Sequence, residues 1–340
     1  MKNLPFEVRK LKADDLDIKP QVFATDGYPQ LVRHFNWGMI FKPGCEKPGY
    51  YMRSMTRTGY RSGTVCVLGD SPLEGQSPSP YFDRMAQKME TEEPYRKVCD
   101  DPVTFMHNSK EPFTEFIYTE DGASWKESDV LDLKVEYFPF AFFAHEDSIL
   151  GHGYMQQHLL YTGTFDGQPV RSLGCIDRVY MKADSLEHLK QDTDNIFIAF
   201  TFMSGIRKDG RKECAWVGVH KENGNGMAYY WLEGNEPVLS DEVYLEADWQ
   251  QYPYAKDDPT VAYTNATWKF GGVTLHTNCK WGSKGHTQTP RLSLVGFSQT
   301  YGTWYEGDEP YEHEIYHLLC ENHSATVENT VKAGFKVKEF

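Results

Sequence analysis

Residues Asn195 to Gly234 read NIFIAFTFMSGIRKDGRKECAWVGVHKENGNGMAYYWLEG, and they decide the fold because they encode three consecutive antiparallel strands with both turns written in. Ile196 to Ser204 is dense in β-branched and aromatic residues, which pack well on a pleated surface. Lys208-Asp209-Gly210 supplies the positive-φ position of a tight hairpin, and Cys214 to His220 forms the return strand. Asn223-Gly224-Asn225-Gly226 turns the chain again, into Met227 to Leu232. Aromatic residues recur through the rest of the sequence, so the expectation is an all-β protein that encloses a ligand.

Outward from that stretch, strand-like segments occur at His34–Phe41, Tyr50–Tyr60, Thr114–Tyr118, Asp132–Phe143, Gly153–Thr164 and Pro169–Met181. On the C-terminal side they recur at Glu242–Ala247, Val261–Phe270, Val273–Lys280 and Arg291–Thr300, at a spacing suited to barrels or sandwiches. The run DSPLEGQSPSP from Asp70 to Pro80 has loop composition. Short helices are predicted at Phe82–Glu90 and Leu186–Gln191. Asp184-Ser185 marks the expected boundary, giving an N-terminal β domain over 1–185 and a C-terminal one over 186–340.

The 340 residues suffice for two domains with their own cores. With 49 acidic against 35 basic residues, the net charge of −14 would repel nucleic acid and anionic lipid. No window is apolar enough for a membrane span, and MKNLPFEVRKLKADD lacks the apolar core of a signal peptide, so a cytoplasmic location is expected. Seven scattered cysteines without C-x-x-C argue for reduced thiols, and the sequons at Asn265 and Asn322 carry little meaning without a secretion signal. The G-x-G-x-x-G, G-x-x-x-x-G-K-[ST] and G-x-S-x-G motifs are missing.

His313-Glu314-Ile315-Tyr316-His317, followed by His323, matches the spacing of a zinc protease. Cys320 replaces the glycine of that pattern and no methionine follows Met227, so no metal site is expected. On a strand, His313, Ile315 and His317 would share one face and Glu314 the other. The densest polar cluster is His145 to His158, where a strand would direct His152, Tyr154, Gln156 and His158 to one side. A histidine there, near its ordinary pKa, would serve as general acid or base, with Tyr154 and Gln156 orienting a ligand oxygen. Asp177, after the strand-like Leu173–Ile176, is a candidate buried acid. Arg53, Arg57 and Arg61 recur at spacing four, either to bind a carboxylate or to pair with acids on a neighbouring strand. The expected site is thus His152, His158 and Asp177 for catalysis, with Tyr154, Gln156, Arg53 and Trp281 contacting substrate.

Tyr161-Thr-Gly-Thr-Phe-Asp-Gly-Gln-Pro-Val-Arg-Ser-Leu-Gly-Cys-Ile-Asp177 resembles the strand pair G-x-hydrophobic-x-G-x-P-V-x-G-x-G-hydrophobic-x-acid of the lipocalin-like carotenoid hydratase and AttH superfamily. The segment IFIAFTFMSGIRKDGRKECAWVGVH is similar to its next strand, Asp-Gly turn and return strand. The chain differs where the usual G-x-G-Tyr-x-Glu becomes Gly174-Cys-Ile-Asp177, leaving only Asp177 at the acidic position. The resemblance implies two tandem lipocalin-like β-barrels and hydration, isomerisation or cyclisation of a terpenoid, polyketide or polyphenol-like molecule without a cofactor. The alternatives are a non-catalytic carrier and a carbohydrate-active β-sandwich. A hydrophobic small molecule is the expected partner, with homo-oligomerisation left open.

Overall fold

The computed structural model describes residues 4–12, 15, 30–40, 47–56, 61–73, 77–78, 96–99, 102–107, 114–145, 153–181, 197–252, 259–282, 296, 298–323 and 325–338. The first sheet comprises β1 (Phe6–Arg9), β2 (Gln30–Ile40), β3 (Gly49–Thr56), β4 (Arg61–Val67), β5 (Ser77–Pro78), β6 (Arg96–Cys99), β7 (Val103–His107), β8 (Thr114–Thr119), β9 (Gly122–Glu127), β10 (Leu131–Ala144), β11 (Gly153–Phe165) and β12 (Gln168–Met181). The second comprises β13 (Phe197–Arg207), β14 (Lys212–His220), β15 (Gly226–Leu232), β16 (Val238–Ser240), β17 (Tyr244–Gln251), β18 (Val261–Phe270), β19 (Val273–Gly282), β20 (Ser298–Glu306), β21 (His313–Asn322) and β22 (Val337–Lys338). A short helix, α1 (Val327–Lys332), packs at its end.

The chain is all-β, as expected, with two curled sheets, antiparallel apart from the β17–β22 pair, forming tandem lipocalin-like barrels. Strand order is β5-β4-β3-β2-β12-β11-β10-β9-β8-β7-β6 in the first and β16-β15-β14-β13-β21-β20-β19-β18-β17-β22 in the second. The decisive stretch forms β13, β14 and β15; its first strand runs on to Arg207, and Gly210 takes the expected positive φ of 88°. Helix α1 was not anticipated, although Thr326 caps it by accepting from Asn329 N and Lys332 complements its C-terminal end. The predicted helices at 82–90 and 186–191 and the 185/186 boundary lie outside the described residues.

Strand alternation sorts side chains into three apolar layers. Trp125, Met155, Leu159 and Tyr161 point into the first barrel, while Trp249, Tyr263, Trp268 and Trp304 fill the second. The opposite faces of β10, β11, β12, β13, β14 and β21 pack against each other as a third layer. Phe142 stacks on Trp216 at 4.5 Å between ring centres and lies 5.9 Å from Tyr229. Trp37 meets Phe202 edge-on at 5.0 Å, and Phe140 meets Trp231 at 5.7 Å. Arg171 pairs with Glu314 at 2.7 Å and Lys212 with Glu136 at the rim of this layer.

One irregularity overturns the expected facing of the histidines on β21. Opposite β13, the register jumps from Ile206↔Ile315 to Arg207↔His313, leaving Glu314 as an extra residue. The bulge sends His313 and His317 to opposite faces. His313 lies against Gly205, where an added Cβ would come within 2.1 Å of its ring, and its Nε2–H donates to Glu213 at 2.7 Å. His317 instead enters the layer between the barrels, in contact with Trp37 at 4.8 Å. The two rings therefore do not converge as the zinc-protease spacing requires.

Glu213 has no exposed surface and accepts from Arg207, Tyr230, Tyr311 and His313. Burial alone would push its carboxyl up, but these four donors outweigh burial and bring it from 4.5 down to about 2. Its contribution to stability is complete above the ordinary carboxylate range and is lost as pH falls from about 4.5 towards 2. Glu213→Leu, which leaves Arg207 only its longer 3.5 Å carboxylate contact, with Glu306, should cost about 3–5 kcal/mol in denaturant unfolding and flatten this acid limb. A cost below about 1 kcal/mol would show the network to be dispensable.

Candidate active site

The face of β11 predicted to be polar does carry Tyr154, Gln156 and His158 together, and all three are buried. It points into the layer between the barrels, not into the interior of the first. Gln156 lies opposite Asp177 and His158 opposite Cys175 on β12, so alternation brings Asp177 to the same face, half-buried. Trp281 packs half-buried at the periphery of the layer. His152 lies outside the described residues. Arg53 pairs in register with Asn36 on β2, and its side chain is likewise outside what is described.

The second barrel supplies residues the sequence reading assigned no role here. On its interlayer face, β21 carries His317, directly opposite Ser204 of β13, and β15 carries Tyr229 opposite Trp216 of β14. His317, Ser204 and Tyr229 have no exposed surface. The Tyr229 hydroxyl faces Gln156 Oε1 at 3.5 Å, and its ring centre lies 6.3 Å from that of His158. His158 Nε2 sits 3.1 Å from the Ala215 carbonyl oxygen. That carbonyl can only accept, so Nε2 bears the proton and donates, leaving Nδ1 as a bare lone pair.

Burial pushes the His158 imidazole from 6.5 down to about 3, although the bond to Ala215 opposes the change. His317 also lies well below its ordinary value, first through burial and then through the neighbouring His158. Both rings are therefore neutral over the physiological range. The expectation of a histidine near its unperturbed pKa, ready to act as acid or base, therefore does not hold for His158: with its Nε2–H engaged by Ala215, the free Nδ1 can only accept. Burial, followed by the charges of Asp177 and of Glu321 on β21, raises the Tyr154 hydroxyl well above its ordinary value, so it stays protonated.

The polar inventory of this layer does not close on itself. His158 Nδ1, both ring nitrogens of His317, Gln156 Nε2 and Ser204 Oγ lack a partner at hydrogen-bond distance. Each such buried group costs about 1–3 kcal/mol when nothing pairs with it. Neutral imidazoles that offer both a lone pair and an N–H can take a proton at one point of a bound molecule and polarise an oxygen at another. Trp37 lies 4.8 Å from the His317 ring, and Phe138 and Tyr229 lie 6.1 and 6.3 Å from that of His158.

Histidine nitrogen spectra of the protein should show His158 as the neutral Nε2–H tautomer, without titration from about pH 8 to 5. Because its pKa is lowered on folding, stability should be complete above its ordinary 6.5 and decline as pH falls towards about 3. A histidine signal from His158 titrating near 6.5 would contradict the buried geometry.

A scan of protein-family models finds no match, and no curated protein matches the chain. Among solved structures, a candidate AttH from Nitrosomonas europaea aligns over 92% of this chain and 97% of its own, with TM-score 0.50 and 11% identity. Kievitone hydratase from Nectria haematococca aligns over 95% and 99% at 9% identity, but its TM-score of 0.37 is too low to bear on this chain. The first likeness is one of fold: tandem barrels are the architecture that the resemblance over Tyr161–His220 implies.

Proposed function

We propose that the chain is an enzyme that binds a hydrophobic small molecule between its two barrels and hydrates, isomerises or cyclises it by proton transfer, with no cofactor required. The observation that carries this reading is the pair of fully buried, neutral histidines, one from each barrel, whose free ring nitrogens face aromatic walls. His158 Nδ1 acts as the base, drawing a proton from the ligand or from an attacking water. The His317 N–H and the Gln156 amide donate to the ligand oxygen on which charge develops. Tyr154 or Asp177, on the same face, gives a proton to the ligand and regains one from protonated His158 to close the cycle, and the Trp37 and Trp216 rings stabilise any developing positive charge. Terpenoid, polyketide and polyphenol-like molecules meet the requirement for a largely apolar body with few oxygens.

The test is to incubate the protein with such molecules in deuterated or oxygen-18 water and follow products by mass spectrometry. Hydration adds labelled oxygen, and isomerisation through proton exchange adds deuterium. His158→Ala and His317→Ala should each lower kcat by about 10²–10⁴-fold while ligand still binds, and Asp177→Asn should separate an acid from a contact residue. If every ligand returns unlabelled and unchanged while binding tightly, the protein is a carrier.

A further inference from the structure

A concavity lies on the outer face of the second barrel, remote from the layer between the barrels. Strands β17, β18 and β19 with Tyr305 of β20 line a solvent-open cleft of about 500 Å³. Register places Glu246, Thr267, His276 and Tyr305 in one row across four strands, and Asn265 directly opposite Asn278 in the next. Register shifts border the patch, with an extra residue in β18 opposite Ala247–Trp249 and another in β19 between Cys279 and Trp281. Bulges of this kind bend and twist a strand, which hollows an otherwise convex barrel wall.

The chemistry of the lining narrows the ligand. Glu246 is compensated by Lys269 at 2.8 Å, and Asn265 Nδ2 lies 3.4 Å from Asp248 Oδ2. Two carboxylates disfavour an anion, and among the described residues no three His, Cys, Asp or Glu side chains converge to hold a metal ion. The row of amides, hydroxyls and carboxylates equally disfavours the flat apolar molecules suited to the layer between the barrels. His276 is stacked on Tyr305 at 4.7 Å and 19°, with Thr267 Oγ1 3.1 Å from its Nδ1. Groups that donate and accept at the strand repeat, beside a flat ring pair, suit a molecule bearing many hydroxyls and an apolar C–H face.

We propose that this cleft is a binding site for a short neutral oligosaccharide, with Asn265, Asn278 and Asp248 meeting its hydroxyls and the His276–Tyr305 pair meeting a sugar face. The Asn265-Ala-Thr267 sequon lies in this cleft with Asn265 exposed, whereas Asn322 of the other sequon is buried and donates to Ser298. Protein for the test therefore comes from a bacterial host, in which Asn265 stays unmodified.

The experiment is calorimetric titration of the full chain with hexasaccharides of cellulose, chitin, xylan, β-1,3-glucan and starch type, each to millimolar concentration. One class should saturate a single site, and Asn278→Ala should weaken it about tenfold or more, with an unchanged melting temperature. Tyr305→Ala should do the same, but Tyr305 also touches Tyr311 of the Glu213 network, so Asn278→Ala is the decisive variant. His158→Ala should leave the affinity untouched, which separates this site from the one between the barrels. Silence from all five sugars, or binding undiminished by Asn278→Ala, overturns the proposal.

Discussion

The burial of one barrel wall against the other is the constraint on which the rest of this structure depends. Each sheet curls around its own core and still has an aromatic outer face, bearing Trp37, Phe138 and Phe142 on one side and Phe202, Trp216 and Trp231 on the other. A contiguous apolar face of that kind is not tolerated in water, and the stack of Phe142 on Trp216 shows where it goes. Because water is expelled from this layer, any polar group in it is forced either to pair or to lose its charge. The neutrality of His158 and His317 follows from that expulsion. So does the strength of any hydrogen bond their nitrogens can form there.

The fold was largely legible in the sequence because its signals are local. The Asp209-Gly210 and Asn223–Gly226 turns, with β-branched and aromatic runs between them, specify hairpins irrespective of what packs on them. Alternation along β11 correctly grouped Tyr154, Gln156 and His158, since period two is a property of the strand alone. Which side of the wall that group faces depends on the partner sheet, which no local pattern encodes. For the same reason Tyr229 and Ser204 went unassigned: Tyr229 meets Gln156 and His158, and Ser204 lies opposite His317, only through apposition with strands far away in sequence. His317 was noticed, but as part of a spacing that belongs to helices.

The pKa of His158 illustrates the limit in a different way. A histidine in a polar-looking segment reads as a group near neutrality, and only the depth of burial moves it to about 3. That depth comes from Phe138, Tyr229 and the β14 backbone, contributed by both sheets. Of the acid and base roles left open by the sequence, the buried neutral ring keeps only the one that takes a proton.

The extra residue Glu314 has a consequence for how this chain can vary over time. Removing one residue there would restore even pairing with β13 and swing everything on the N-terminal side of the deletion to the opposite face. His313 would leave Glu213 with one donor fewer and bring an imidazole towards the layer between the barrels. Side-chain replacement at Glu314 forfeits little more than a rim ion pair with Arg171. Length at this position is therefore under far stronger selection than identity, so descendants of this sequence should tolerate many residues at 314 and no gap.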